Sequence, residues 1–286
     1  MAATVSISQR RATSRRDDHV HVHAHAQPGD DLAIGIDVGF STISAGVVDP
    51  RTGVVIARHC EPTPSGDLEV LRTCVAIAAQ LASRHPVGRI GLAVPEIVDR
   101  DGIVQSAATW DWRSVDVPLA FADIARTCVH SDVRAAAFGE AQAGAGRGLD
   151  CFVYVTVGNG ISAVVVRHGR PWEGRCGAAL VVGVPPVDLV SSVKALAGDV
   201  DQALVAQAAT RLGEEIGRVV NLIDPDAVVV GGELGLDPRY RRQWVNVMRQ
   251  SVWHKPASFV PVVEAQFKMD AELVGAALAS GSLVAA

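Results

Sequence analysis

The apolar positions of this chain fall into short strand-like runs separated by helical stripes. From Leu32, LAIGIDVG is almost wholly apolar and ends in glycine, which reads as a buried strand, with STISAGVVD as its neighbour. Asp49, Pro50 and Gly53 mark a turn before a third strand, VVIARHC. Leu68, Leu71, Val75, Ala78 and Leu81 recur at helical spacing and predict a helix over 68–84. RIGLAVP predicts a strand stopped by Pro95, DIARTC a short helical piece, VHSD a short strand, and 133–146 an alanine-rich helix. CFVYVTVGNGISAVVV reads as strand, glycine turn and strand. Helices are predicted over 202–221, 240–252 and 271–283, with the strand AVVVGGEL between the first two. Alternating strands and helices place the chain in the α/β class.

One pattern repeats. IDVGFSTISAGVV at 36–48 echoes VTVGNGISAVVV at 155–166, each a buried strand, a glycine turn and a second apolar strand. Two such hairpins predict two related lobes facing each other across a cleft, one over 32–130 and one over 131–270, hinged near 126–132. Residues 1–31 lack apolar periodicity and read as a disordered tail carrying Arg10, Arg11, Arg15 and Arg16, then His19, His21, His23 and His25. Alternating imidazoles can trap a transition metal, but low-complexity tracts seldom build a closed site, so a solvated tail is expected. The tail is too short for a winged DNA-reading domain.

Composition narrows the function classes. Of 286 residues, 49 % are hydrophobic and 20 % charged, the balance of a soluble, core-forming protein. The 26 basic and 31 acidic residues give a net charge of -5, which argues against a nucleic-acid partner and a polybasic membrane clamp. No apolar run reaches the ~18 residues of a membrane span. The 5 cysteines form no CxxC and suggest neither a disulfide framework nor a cysteine zinc cage. They read as small core residues in a reducing, cytoplasmic setting.

The glycine turns carry the first chemical signal. A nucleotide triphosphate needs backbone N–H groups close to its oxygens, and glycine allows that approach. Gly39 follows Asp37 at a strand end, and Gly158 and Gly160 hold the same place in the second hairpin. Asp37 can help hold Mg²⁺ through water, or it can stabilise the turn. Neither a P-loop GxxxxGK[ST] nor a strand-to-helix GxGxxG is present. Asp132 stands between a short strand and a helix, where it can cap the helix or accept a proton from a substrate hydroxyl.

Together these residues resemble the ROK family of repressors and sugar kinases, from about Leu32 to Ala279. IGIDVGFSTISAGVVD resembles the first phosphate motif, with Gly39 and the Ser41 or Thr42 hydroxyl toward phosphate. GLAVPEIVD resembles the VPG-x-VD segment. HSDVRAAAFGEAQAGAGRG resembles the N-D-A-x-x-A-x-x-E stretch, which puts Asp132 at the catalytic base, Ser131 beside it and Glu140 at the following glutamate. YVTVGNGISAVVVRHGRPWEGRCGAA is similar to the second phosphate motif, with Gly158, Asn159 and Gly160. LIDPDAVVVGGEL resembles the adenosine segment, with Gly231 and Gly232 near the nucleotide. The resemblance implies a two-lobed actin-like ATPase (ribonuclease H-like) fold with a nucleotide cleft between lobes, a last helix over 271–286 returning to the first lobe, ATP and Mg²⁺ as cofactors, and a homodimer.

The departures from the family pattern concern the acceptor. Phe40 stands where a second phosphate-turn glycine is usual, Glu96 replaces the glycine of VPG, and Thr109 replaces a sugar-binding asparagine. After Gly177 the chain reads GAALVVGV, so Val181 and Val184 hold the places of a sugar-gripping glutamate and histidine. The cysteine-rich loop that should follow is missing, so no zinc is expected. Glu96, Thr109, Ser131, Asp132 and Glu173 are the substrate candidates. The expected function is an ATP-dependent kinase acting on a hydroxyl of a small sugar-like polyol. C7-cyclitols, acceptors of ROK-like kinases in actinobacterial aminocyclitol antibiotic biosynthesis, are favoured over ordinary hexoses. The alternatives are a catalytically impaired sensor or scaffold, and an ordinary hexose kinase.

Overall fold

The computed structural model describes residues 32–158, 161–179, 181–183 and 202–281. The Arg- and His-rich segment 1–31, Asn159, Gly160 and Val184 lie outside the described residues. The first sheet contains β1 (Ala33–Val38), β2 (Thr42–Asp49), β3 (Val54–Pro62), β4 (Arg89–Val94) and β5 (Arg126–Ser131), in the order β3-β2-β1-β4-β5. β2 is antiparallel to β1 and β3, while β4 is parallel to β1 and β5. The second sheet repeats that plan. β6 (Cys151–Val157) and β7 (Ile161–Arg167) form its hairpin, flanked by β8 (Arg170–Pro171) and β9 (Val181–Gly183). β10 (Ala227–Gly231) and β11 (Val262–Glu264) continue it in parallel on the far side of β6. The echoed segments are the founding hairpins of the two sheets. β1 and β6 are central strands buried on both faces, and that is why they read as near-continuous apolar runs rather than alternating ones.

Helix α1 (Asp67–Ala82) covers the first sheet with Val70, Leu71, Cys74, Ile77, Ala78 and Leu81. These fall at steps of one, three and four residues, a stripe wide enough to bury one face. Leu68, counted into the stripe by spacing, is 53 % exposed, because the buried face begins two residues later. On the second sheet, α4 (Gln202–Ile223) and α6 (Pro238–Ser251) pack together, and their core includes Leu212, Ile216, Val220, Tyr240, Trp244 and Met248.

Two further helices join the sheets. α3 (Asp132–Ala143) lies against α7 (Ala271–Ala279), and α7 also packs on β1 and β4. The contact is backbone on backbone. A Cβ at Gly35 would come within 1.9 Å of Leu273 O, one at Gly91 within 1.9 Å of Ala276 O, and one at Gly275 within 1.8 Å of Ala135 O. Glu140, fully buried on α3, accepts N–H bonds from Ala145, Gln266 and Phe267 and so ties α3 to the segment that enters α7.

Several local expectations are corrected. DIARTC is not helical: the short helix α2 (Val117–Ala120) comes earlier, and Arg126 opens β5. A six-residue window is too short to display a helical stripe, and the parallel ladder with β4 decides the conformation. α3 stops at Ala143 because Gly144 leaves the helical region, at φ -115° and ψ -150°. A one-turn helix, α5 (Glu233–Leu236), follows the Gly231–Gly232 turn. Cys74 and Cys128 are buried, but Cys60 and Cys176 are exposed, so the cysteines are not uniformly core residues. Among the described residues no helix is long and apolar enough to cross a membrane.

Candidate active site

Carboxylates gather where β1, α3 and α7 meet. Asp37 is the penultimate residue of β1, and β5 runs into α3 without a loop, so Asp132 becomes the first helical residue. Glu272 joins them from the first turn of α7. Burial pushes Asp37 up to about 7, and the charges of Asp132 and Asp270 add to the effect. Burial likewise pushes Asp132 up to about 6, opposed by the Val133 N–H and reinforced by Glu96. Glu272 is driven well above the usual carboxylate range by burial first, then by Asp37. The neighbouring cation, Arg58, is already gripped by both oxygens of Asp270. The site is therefore an excess of negative charge awaiting protons or a cation.

Both readings of Asp132 have a physical basis. Ser131 occupies the N-cap position without a side-chain cap bond, and Asp132 Oδ1 accepts the Val133 N–H at 2.6 Å. One carboxylate oxygen thus serves the helix end. The other has no hydrogen-bond partner among the described residues, the condition a proton acceptor needs.

The glycine turns divide by role. Gly39 N–H donates to Thr42 O at 3.1 Å, and Thr63 Oγ1 donates to Gly39 O at 2.7 Å. A Cβ at Gly39 would meet Thr42 O at 2.7 Å, so this glycine closes the turn. Its N–H is not free for phosphate as expected, and the exposed Ser41 and Thr42 hydroxyls are the open polar groups there. Phe40 is 73 % exposed and does not fill the core. Gly158 has nothing within 4 Å of its Cβ position and leaves open space. Gly231 and Gly232 instead hug β6. A Cβ would meet Tyr154 Oη at 2.2 Å at the first and Val157 O at 2.5 Å at the second, where φ is +77°.

The substrate candidates do not converge as free groups. The Glu96 carboxylate, 3 % exposed, accepts from Ser106 Oγ and from the N–H groups of Ala108, Thr109 and Trp110. Ser131 Oγ is fully buried and donates to Glu96 O. Contrary to expectation, the Glu96 carboxylate and the Ser131 hydroxyl are therefore engaged within the protein and do not stand open toward a substrate. Thr109 is half-buried, held through its N–H by Glu96. Glu173 lies apart, 3.8 Å from Arg100, whose Nη2 donates to Gly174 O at 2.7 Å. Sequence reasoning missed Glu272, because an acidic residue in a first turn reads as ordinary helix-dipole compensation.

Among the described residues no group of three or more His, Cys, Asp or Glu is arranged to hold a metal ion. Asp37 still suits a hard cation, since its carboxylate has no hydrogen-bond donor on it among the described residues, and Mg²⁺ usually takes one or two carboxylates with water and phosphate. The loop where the zinc question arises runs through residues outside the described set.

Comparison with known proteins places these features. The ROK family model matches residues 33–193 and 190–281. Thermotoga maritima glucokinase is 31 % identical over 156 residues, which cover 52 % of this chain and 49 % of that protein. The chain thus spans about half the length of that relative. Polyphosphate glucokinase of Mycobacterium tuberculosis is 30 % identical over 257 residues, 86 % of this chain and 90 % of the relative. The crystal structure of a ROK family glucokinase from Streptomyces griseus, in complex with glucose and AMPPNP, superposes with a TM-score of 0.71 at 25 % identity, covering 87 % of this chain and 99 % of that one. The two similar sheets joined by α3 and α7 are the two-lobed actin-like ATPase fold, and the chain belongs to the ROK family.

Proposed function

We propose that this protein is an ATP-dependent kinase that phosphorylates a hydroxyl of a small polyol. The half-open Asp132 carboxylate carries the reading, lifted to about 6 at the start of α3 and facing the charge of Asp37. Asp132 accepts the proton of the attacking hydroxyl through its unpartnered oxygen. Ser41 and Thr42 offer hydroxyls to the phosphates, and the open space at Gly158 admits the chain of oxygens. Asp37 would hold Mg²⁺, and the ion would supply neutralisation of charge on the transferring phosphoryl group. The names of the M. tuberculosis and S. griseus relatives support a sugar-type acceptor.

The acceptor is not an ordinary hexose on this reading. Glu96 and Ser131 are engaged internally, and valines hold the places of the sugar-gripping pair. A neutral hexose thereby loses charge-assisted hydrogen bonds of about 1.5–3 kcal/mol each. A cyclitol, with no anomeric hydroxyl to satisfy, tolerates that loss. The test is a coupled ADP-release screen over hexoses, amino sugars and cyclitols, with ATP or polyphosphate as donor. Polyol-dependent release supports the kinase. Mg·ATP binding without release under any acceptor supports the sensor or scaffold alternative.

A further inference from the structure

Residues 97–105 reach from the first lobe to the second. They leave the end of β4 as a strap, closed by the Val98–Val104 bridge, by Asp99 N–H on Ile103 O at 3.0 Å and by Gln105 N–H on Ile97 O at 2.7 Å. Asp99 stiffens the strap, accepting from the N–H groups of Asp101 and Ile103 and from Gln105 Nε2. The root of the strap lies beside the base. Val94 pairs with Ser131, the residue before Asp132, and Ser131 Oγ donates to Glu96 O. The strap is thus a self-bonded unit mounted at the strand ends that carry Asp132.

The strap meets the segment that follows β8 in the second sheet. Arg100 Nη2 donates to Gly174 O at 2.7 Å, and its Nε stands 3.8 Å from Glu173 Oε2. Gly177 packs directly on the strap backbone. A Cβ there would lie 2.1 Å from Val98 O and 3.0 Å from Asp99 Cα, and its φ is +73°. The same Val98 carbonyl accepts Arg134 Nη2, and Arg134 is a buried residue of α3, two positions after Asp132. One carbonyl therefore joins the second lobe to the helix that begins with the base. The seam is only partly filled: beside the contact, Asp99, Asp101, Gln105, Arg175 and Cys176 line a cavity of about 500 Å³. Its polar grip is also weak, because the Arg100 and Glu173 side chains are 62 % and 42 % exposed and such pairs contribute little. The backbones fit closely at Gly177 but little holds them there, which suits a contact that is made and released.

We infer that the strap is a latch between the lobes, shut when the cleft closes on an acceptor, and that Arg134 passes its position to Asp132. Arg134 is then a positioning residue, and Glu173 serves the latch rather than the substrate. A shut latch retains the acceptor and keeps water from the transferring phosphoryl group. The inference rests on the kinase reading for the role of Asp132, whereas the mechanical link between the lobes stands on the contacts alone.

Hydrogen exchange of the full chain without ligand, read by mass spectrometry, tests the link, with each change made in one lobe and read in the other. G177A and R100A disrupt the seam from its two sides, and R72A, which removes an exposed pair on α1, is the control. Exchange should be at least about threefold faster over 97–105 in G177A and over 172–179 in R100A, with α1 unchanged. Parental exchange across the seam in both variants, or an equal gain over α1, overturns the inference. Kinetics with any polyol that releases ADP in the parent tests the coupling. R100A should raise the acceptor KM at least about fivefold, keep kcat within about twofold and raise ATP hydrolysis without acceptor. R134M should lower kcat, and R134K should restore most of it, because an ammonium can still donate to Val98 O. Circular dichroism melting checks that both are folded. Parental KM and hydrolysis in R100A, or a kcat in R134K no better than in R134M, overturns the inference. A parent that releases no ADP with any polyol counts against the kinase reading, and the exchange result then decides the latch by itself.

Discussion

Replacing Gly275 by alanine probes the joint that positions the base. A Cβ built there meets Ala135 O at 1.8 Å, Ala135 C at 2.3 Å and Ala136 N at 2.9 Å. Comfortable contact needs about 3.5 Å, so the helices must part by about 1–2 Å. The obstructing atoms are backbone and cannot rotate aside, so α3 and α7 give way together. Overpacking of this kind costs about 1–3 kcal/mol, and the upper end applies where backbone must move. Each kcal/mol lowers the melting temperature of a chain this size by about 2–4 °C, so G275A should melt roughly 5–10 °C below the parent. Ala135 lies one helical turn from Asp132, and the same displacement moves the base. A misplacement of about 1 Å can cost 100-fold in rate, so turnover should fall by about 10–100-fold in the folded variant. G281A is the control, because its nearest neighbour is the mobile end of Arg89 at 3.1 Å. Scanning calorimetry and steady-state ADP release measure both effects. If G275A melts with G281A and keeps full turnover, the close joint is not what holds the base.

Three further outcomes follow from buried carboxylates. E140A strips the acceptor from the N–H groups of Ala145, Gln266 and Phe267, and at about 1–3 kcal/mol per stranded donor it should lose at least about 3 kcal/mol in urea unfolding. A loss below about 1 kcal/mol would mean that water replaces the carboxylate freely. Asp132, raised to about 6, must be deprotonated to act, so kcat/KM should fall about tenfold per pH unit below that point and level off above it. The same shifts bear on stability with the opposite sign. Asp37 and Asp132 hold protons more tightly folded than at the ordinary 3.8, so their stabilising contribution is complete below about pH 4 and lost as pH rises through about 6 to 7. Without divalent cations the melting temperature should decline across that window, and a rise would contradict the crowding of the site.

How much of this was legible in the sequence varies with the range of the interaction. The hairpin echo survives because β1 and β6 are central strands, buried on both faces, and local composition records that directly. Asp132 was legible as a junction residue, since a strand running into a helix leaves a recognisable boundary. Glu272 was not, because it meets Asp37 only after the chain returns to the first sheet across more than two hundred residues. Glu96 misled for a related reason: a carboxylate near an acceptor loop looks like a ligand until its four donors on residues 106–110 are seen. Glycines stand out in the sequence, but spacing cannot separate closure of a turn at Gly39 from open space at Gly158. The end of DIARTC, Arg126 to Cys128, went to a strand because pairing with β4 outweighs a weak local preference.

The central claim is that Asp132 takes the proton from the acceptor. Asp132→Asn preserves size and the bond from Val133 N–H while removing the basic oxygen. Turnover of any polyol that releases ADP with the parent should fall by at least about 100-fold. Mg·ATP affinity, measured by calorimetry on the same preparation, should change by less than about threefold. Turnover that persists at the parental rate would contradict the account, whatever the affinity.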